Sequence, residues 1–178
     1  MIFRPTGIDG VWVLEIERLE DRRGFFARTW DSSELAERGL NARLAQCSIS
    51  YNARRGTLRG MHFQAAPHEE AKLVRCTSGA IFDVALDLRP SSASFKGWFG
   101  VELTAENRRA LYVPEGCAHG FLTLTDDSEV LYQISEVYAP DAARGVRWDD
   151  PAFGIDWPGE VVVITERDRT YPDFEASA

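Results

Sequence analysis

Histidine and cysteine are scarce in this chain, with three of each among 178 residues. Cys47, Cys76 and Cys117 form no Cys-x-x-Cys pair and are odd in number. They cannot all be paired within one chain, which points away from an oxidising compartment. Long apolar runs are also missing. No uncharged stretch approaches the roughly 18 residues of a membrane span, and MIFRPTGIDG lacks the basic region and apolar run of a secretory signal. The expected compartment is therefore the cytoplasm, with no membrane partner. Positive charge is in deficit, 20 Lys and Arg against 28 Asp and Glu for a net charge of −8, which argues against nucleic acid as a partner.

What is present reads as an ordinary globular chain. No repeat, low-complexity segment or linker divides it, so 1–178 is expected to form a single domain. At this length a core can be buried without disulfides or a structural metal. The charge is uneven. From Arg54 to Arg75 five cations (Arg54, Arg55, Arg59, Lys72, Arg75) face two anions (Glu69, Glu70), a local excess that suits a small anionic ligand such as a diphosphate. A run of this kind is usually a solvated face, and the histidine inside it is what lifts this one above that reading.

The hydrophobic pattern is that of strands. Ile81 to Arg89 alternates strictly, with Phe82, Val84, Leu86 and Leu88 on one face and Asp83, Asp87 and Arg89 on the other. Lys72–Cys76, Trp98–Leu103, Ala110–Val113, Gly120–Leu124, Val130–Val137 and Val161–Ile164 are further strand candidates. Turns at Ser78-Gly79, Arg89-Pro90-Ser91, Pro114-Glu115-Gly116, Asp126-Asp127 and Ala139-Pro140-Asp141 separate them. One short helix is expected after Asp31, with Glu34 completing a capping box and Gly39 stopping it. Short strands with this punctuation indicate an antiparallel barrel or jelly roll whose edges need cover. A symmetric homodimer that borrows N-terminal strands is the expected assembly.

Two of the three histidines fall in the most strongly punctuated segments, RGMHFQ (Arg59 to Gln64) and PEGCAHG (Pro114 to Gly120). The second fits Pro-x-Gly-x-x-His, the later half of the cupin signature. In metal-binding cupins the earlier half carries a His-x-His pair and a downstream Glu, because a divalent metal needs three or four converging ligands. Here His62 is followed by Phe63 and then Gln64. Glu69 and Glu70 read as a solvated turn. The expectation is an all-β fold, a cupin-like double-stranded β-helix (jelly-roll) barrel with short peripheral helices, whose metal box is given over to acid-base chemistry without metal or organic cofactor. Cys117 beside His119 could be a nucleophile, but it lacks the base and orienting group such a thiol needs and reads as a small buried residue.

Within that frame DRRGFF (Asp21 to Phe26), GTLRGMHFQ (Gly56 to Gln64), AKLVRC (Ala71 to Cys76), FDVALDLR, VELTAENRR, YVPEGCAHGF and RGVRWDDPAFGIDWP (Arg144 to Pro158) together resemble the dTDP-4-dehydrorhamnose 3,5-epimerase family. The resemblance runs from Gly10 to Asp168. It implies a nucleotide diphosphate 4-keto-6-deoxysugar as substrate, His62 as general base, Asp168 as the carboxylate orienting it, and Tyr132 as proton donor. It further implies that Lys72 and His119 line the keto-sugar site, that Arg23 and Arg59 contact the diphosphate, and that Tyr138 stacks on the nucleobase. Phe26 and Gln46 fall in the matching substrate-binding stretches. The chain departs from the family pattern at Arg28, at Cys47-Ser48 and at Ala143, towards the nucleotide end of the site.

These residue types suit the chemistry. A C4 ketone acidifies the hydrogens on C3 and C5, a neutral imidazole can remove one, and a lysine can meet the developing enolate oxygen. Inversion then needs a proton from the other face, which a tyrosine can supply. The same enolate would serve an epimerase of one centre or a keto-isomerase. A sugar-nucleotide binding module would not need the His62, Asp168 and Tyr132 set, and a metal-dependent oxygenase is disfavoured by Gln64. Singly, Lys72 could be an edge-strand lysine, Arg59 a structural ion pair, Asp168 a terminal acid, and Tyr132 and Tyr138 interior packing on one strand.

Overall fold

The computed structural model describes residues 1–175. Its strands are β1 (Ile2–Pro5), β2 (Trp12–Glu15), β3 (Leu19–Asp21), β4 (Gly24–Phe26), β5 (Gln46–Asn52), β6 (Leu58–Gln64), β7 (Lys72–Ser78), β8 (Ala80–Asp87), β9 (Trp98–Thr104), β10 (Ala110–Val113), β11 (Cys117–Thr123), β12 (Ser128–Ile134) and β13 (Ala143–Gly145). A six-stranded sheet runs β1-β2-β10-β7-β12-β5 and a five-stranded sheet β13-β6-β11-β8-β9, and every pairing is antiparallel. The two sheets enclose Val74, Cys76, Ile81, Ala85, Leu103, Leu111, Val113, Phe121 and Val130 in one core cluster. This is the jelly roll that the strand spacing indicates. No helix among the described residues is long and apolar enough to cross a membrane.

The outer faces are covered as well. Helix α1 (Ser32–Ala36) buries Leu35 against Leu14, Leu73 and Tyr112 of the six-stranded sheet. Asp31 caps it by accepting from the Ser33 and Glu34 N–H groups. The capping box is only half made, because the Glu34 carboxylate turns to the Met1 amino group instead. On the five-stranded sheet Val146, Phe153, Ile155, Trp157 and Phe174 pack over Met61, Val84 and Leu86. That layer decides which face of β8 looks inward. Its apolar parity faces this outer layer, while Asp83 and Asp87 point into the barrel with no exposure at all.

Three further expectations shift. Val161–Ile164 forms only an isolated bridge, Thr57 to Val163. The β12 strand ends at Ile134, so Tyr138 leaves it and stands 59% exposed rather than sharing interior parity with Tyr132. β11 begins at Cys117, ahead of the expected start at Gly120, and so takes in His119.

The β3–β4 hairpin pairs with no other strand among the described residues, and all six of its residues are exposed.

Candidate active site

The sandwich opens into a cavity of about 530 Å³ lined by strands of both sheets, within the range of small-molecule sites. From the six-stranded sheet come Gln46, Ser48 and Ser50 on β5, Lys72 on β7, and Tyr132 and Ile134 on β12. From the other come Arg59, His62, Phe63 and Gln64 on β6, and His119 and Phe121 on β11. Gln46, Arg59, His62, Lys72, His119, Tyr132, Tyr138 and Asp168, far apart in sequence, all meet here.

The two histidines are register partners across β6 and β11. The strands approach closely next to the pair, where Gly60 on β6 faces Gly120 on β11. A Cβ on Gly60 would lie 2.5 Å from the Gly120 Cα, and Gly60 adopts φ 138°, a conformation closed to most side chains.

Each imidazole has its own carboxylate. His62 Nε2 lies 2.8 Å from Asp168 Oδ1. A carboxylate only accepts, so it selects the Nε2–H tautomer and leaves Nδ1 as a free base. Asp168 sits on a short helix, α2 (Glu166–Arg169), which Thr165 caps by accepting from the Asp168 N–H. The residue is therefore buried and docked, not a loose terminal acid. Burial pushes its carboxyl upward, but the His62 bond and charge, the Gly60 N–H and the Arg167 guanidinium outweigh that and hold it below the usual range. Arg167 lies along the same edge, Nε 3.4 Å from Asp168 Oδ1.

The second pair is deeper. His119 Nε2 lies 2.8 Å from Asp83 Oδ1. Asp83 is completely buried, and its Oδ2 has no hydrogen-bond partner among the described residues. Burial raises its carboxyl above the ordinary value, against the opposing His119 and Lys72 charges. Asp83 is missed in the sequence because alternation places it on the polar face of β8 without saying that this face looks into the barrel.

Lys72 is 9% exposed. Its ammonium lies 2.8 Å from Glu70 Oε1, and it donates to the His62 carbonyl at 3.4 Å. Glu70, expected in a solvated turn, has a largely buried side chain and lines the cavity. The cations also differ from expectation. Arg59 and Lys72 reach the cavity, joined by Arg144 and Arg167 from the C-terminal third. Arg75 instead lies away from it, donating to the Arg108 and Thr29 carbonyls.

Tyr132 is buried enough that its phenol is pushed well above the usual tyrosine range. Its hydroxyl lies 3.3 Å from Ser50 Oγ. Gln64, standing where a second metal-binding imidazole would be, instead ties main chain together. Its amide donates to the His68 and Val137 carbonyls and accepts from the Ala139 N–H. Cys117 is buried and its thiol is pushed up to about 12 by that burial, which suits the packing role and not a nucleophile. Among the described residues no cluster of three His, Cys, Asp or Glu side chains could hold a metal.

Arg23 and Phe26 do not join the site within this chain. Arg23 lies in the β3–β4 turn, its side chain 90% exposed and paired with Asp21, and Phe26 is 65% exposed.

Comparison with known proteins agrees with this architecture along nearly the full length. A model of the family described as dTDP-4-dehydrorhamnose 3,5-epimerase matches residues 5–176. The chain belongs to this family. It is 45% identical to the dTDP-4-dehydrorhamnose 3,5-epimerase of Methanothermobacter thermautotrophicus over 95% of this chain and 92% of that protein. A crystal structure of the Bacillus anthracis dTDP-4-dehydrorhamnose 3,5-epimerase with TDP and PPi bound superposes with a TM-score of 0.92 at 38% identity, covering 97% of this chain and 99% of the other. The dTDP-4-dehydrorhamnose 3-epimerase of Streptomyces niveus is 40% identical over 95% of this chain and 82% of that protein. The enzyme is thus an isomerase of the nucleotide-sugar epimerase class, with the cupin-like jelly roll of its relatives.

Proposed function

We propose that the enzyme inverts C3 and C5 of a nucleotide diphosphate 4-keto-6-deoxysugar of the dTDP-4-dehydro-6-deoxyglucose type, by proton transfer through enolates. One observation carries the reading: a carboxylate-held imidazole and a partly buried phenol line the same cavity from opposing sheets, His62 on β6 and Tyr132 on β12. His62 Nδ1 removes the proton next to the ketone, and the C–H electrons move into the enolate. Asp168 stabilises the imidazolium that forms. The Lys72 ammonium, held by Glu70, meets the charge on the enolate oxygen. Tyr132 then returns a proton to the other face as the carbonyl re-forms.

Arg59 is assigned to the diphosphate, with Arg144 and Arg167 lining the same cavity. Tyr138, half open at the rim beside Gln46, whose side chain accepts from its N–H, suits a nucleobase. His119 bounds the sugar. No metal or organic cofactor enters this scheme, and Gln64 with its three main-chain partners supports that. The whole chain acts as one domain in the cytoplasm, a reading supported by three free cysteines.

The assembly is a homodimer. The β3–β4 hairpin exposes Leu19, Phe25 and Phe26, and the outer face of β5 exposes Ile49 and Tyr51. A second copy would cover both and carry Arg23 and Phe26 towards a site that one chain does not give them. Inversion at C3 alone is the second reading, favoured by the Streptomyces niveus relative.

The test is incubation with a nucleotide 4-keto-6-deoxysugar in deuterated water, following label at C3 and C5 by NMR. Label at both carbons with inverted product supports the proposal. Label at C3 alone selects the second reading, and no label overturns both.

A further inference from the structure

We propose that Ser50 is the positioning residue that aims the Tyr132 hydroxyl into the cavity, as the last member of a polar chain from Arg59 through Asn52. The inference rests on the reading of Tyr132 as proton donor. Direction along the chain follows from donor and acceptor chemistry. A guanidinium only donates, so the 2.7 Å bond from Arg59 Nε to Asn52 Oδ1 fixes which end of that amide is oxygen. The Nδ2 end then faces the Ser128 carbonyl at 3.1 Å, the Ser50 carbonyl at 3.3 Å and Ser50 Oγ at 3.5 Å, its two hydrogens shared among these three acceptors. Asn52 is 2% exposed, so water does not compete for it.

With Ser50 Oγ accepting from Asn52, its own hydrogen is free for the phenol oxygen 3.3 Å away. Among the described residues Ser50 is the one hydrogen-bond partner of that phenol. In the arrangement proposed, the oxygen of Tyr132 accepts from Ser50, and its hydrogen is left for a reacting carbon in the cavity, which Ser50 also lines. After transfer the same Ser50 bond meets the phenolate, the form that burial most disfavours. Because Arg59 also faces the cavity, the cation assigned to the diphosphate and the acid are held by one network.

The test compares Ser50→Ala, Ser50→Thr and Tyr132→Phe in deuterated water, reading the ratio of solvent exchange to inverted product beside KM and kcat. Tyr132→Phe should shift the ratio towards exchange with retained configuration. Ser50→Ala should shift it the same way by at least threefold, with KM within twofold of the parent. Ser50→Thr, which keeps the hydroxyl, should restore it. Circular dichroism with thermal melting reports folding for all three. A Ser50→Ala ratio equal to the parent's, while Tyr132→Phe moves it, overturns the role of Ser50 alone. An unmoved ratio in Tyr132→Phe overturns the acid assignment and this inference with it. A ratio shifted equally in both serine variants shows strand disturbance in place of a hydroxyl effect and also overturns it.

Discussion

His62 and His119 face each other directly across β6 and β11, yet each is bound to a carboxylate from a different part of the fold. Asp168 reaches His62 from a C-terminal helix, and Asp83 reaches His119 from the neighbouring strand β8. The two carboxyls are shifted in opposite directions, Asp168 down and Asp83 up. Neighbouring imidazoles are thus given different partners, one suited to accepting a proton at the ring and one held in a fully buried pair.

The base is tested by His62→Ala and Asp168→Asn. His62→Ala should abolish exchange at both carbons, a loss of about 10²–10⁴-fold or more in kcat. Asp168→Asn should leave weak exchange, because the imidazole remains but loses its tautomer selector. Single-turnover exchange measured by NMR distinguishes them, and ordinary exchange in His62→Ala would require another base.

Tyr132→Phe removes one hydroxyl and leaves His62, Lys72 and the packing in place. Enolate formation should persist while inversion falls, giving deuterium at C3 or C5 with retained configuration. If exchange and inversion drop in equal proportion, the stereochemical donor is another group.

Acid stability should follow Asp87. It is fully buried and accepts from the Arg89 main chain and guanidinium and from the Ser92 and Ser94 hydroxyls. Burial raises its carboxyl, but these donors outweigh that and leave it far below the usual range. The stability it contributes is present above the unfolded carboxylate value of about 3.9 and is lost as pH falls through the folded value. Asp87→Asn should cost about 3 kcal/mol at pH 7, and calorimetric scans should show the gap to the parent closing below pH 4. Asp83 has the opposite sign. Its raised carboxyl makes folding less favourable as pH climbs above the unfolded value of about 3.9, so Asp83→Asn should gain on the parent as pH rises from there. A gap that stays constant with pH would refute either assignment.

Arg23→Ala reports on assembly. In a single chain this side chain lies outside the cavity, so an effect on KM requires a second copy to bring it there. The expected result is a dimer by sedimentation and a KM raised about tenfold with kcat nearly kept, since a diphosphate contact acts alike in ground and transition states. A monomer, or an unchanged KM, would dissociate Arg23 from the site.

Much of this was legible in the sequence where chemistry is local. Period-two alternation located β8 to within a residue or two, and Pro and Gly placed the turns at Gly79 and Gly116, both with positive φ. Motif order brought His62, Lys72, His119, Tyr132 and Asp168 to one cavity. What failed depended on tertiary cover. Alternation sorts Asp83 and Asp87 onto one face of β8 but cannot say which face of a strand is interior when both are buried. Glu70 looked solvated because nothing local shows that Lys72 waits two residues on in an enclosed wall. Arg144 and Arg167 join the cavity only through β13 and α2, elements too short to announce themselves by periodicity.

The close approach of Gly60 and Gly120 makes the spacing of the two dyads a property of side chains that are not there. At 2.5 Å from the facing backbone, the first methyl group added at Gly60 already meets main chain that cannot rotate away. Alanine should therefore act as severely there as a larger residue, with no tolerated intermediate. Drift in the substrate or in the surrounding loops can be absorbed by gradual change of the residues that line the cavity, but the distance between His62 and His119 is held as an all-or-none quantity.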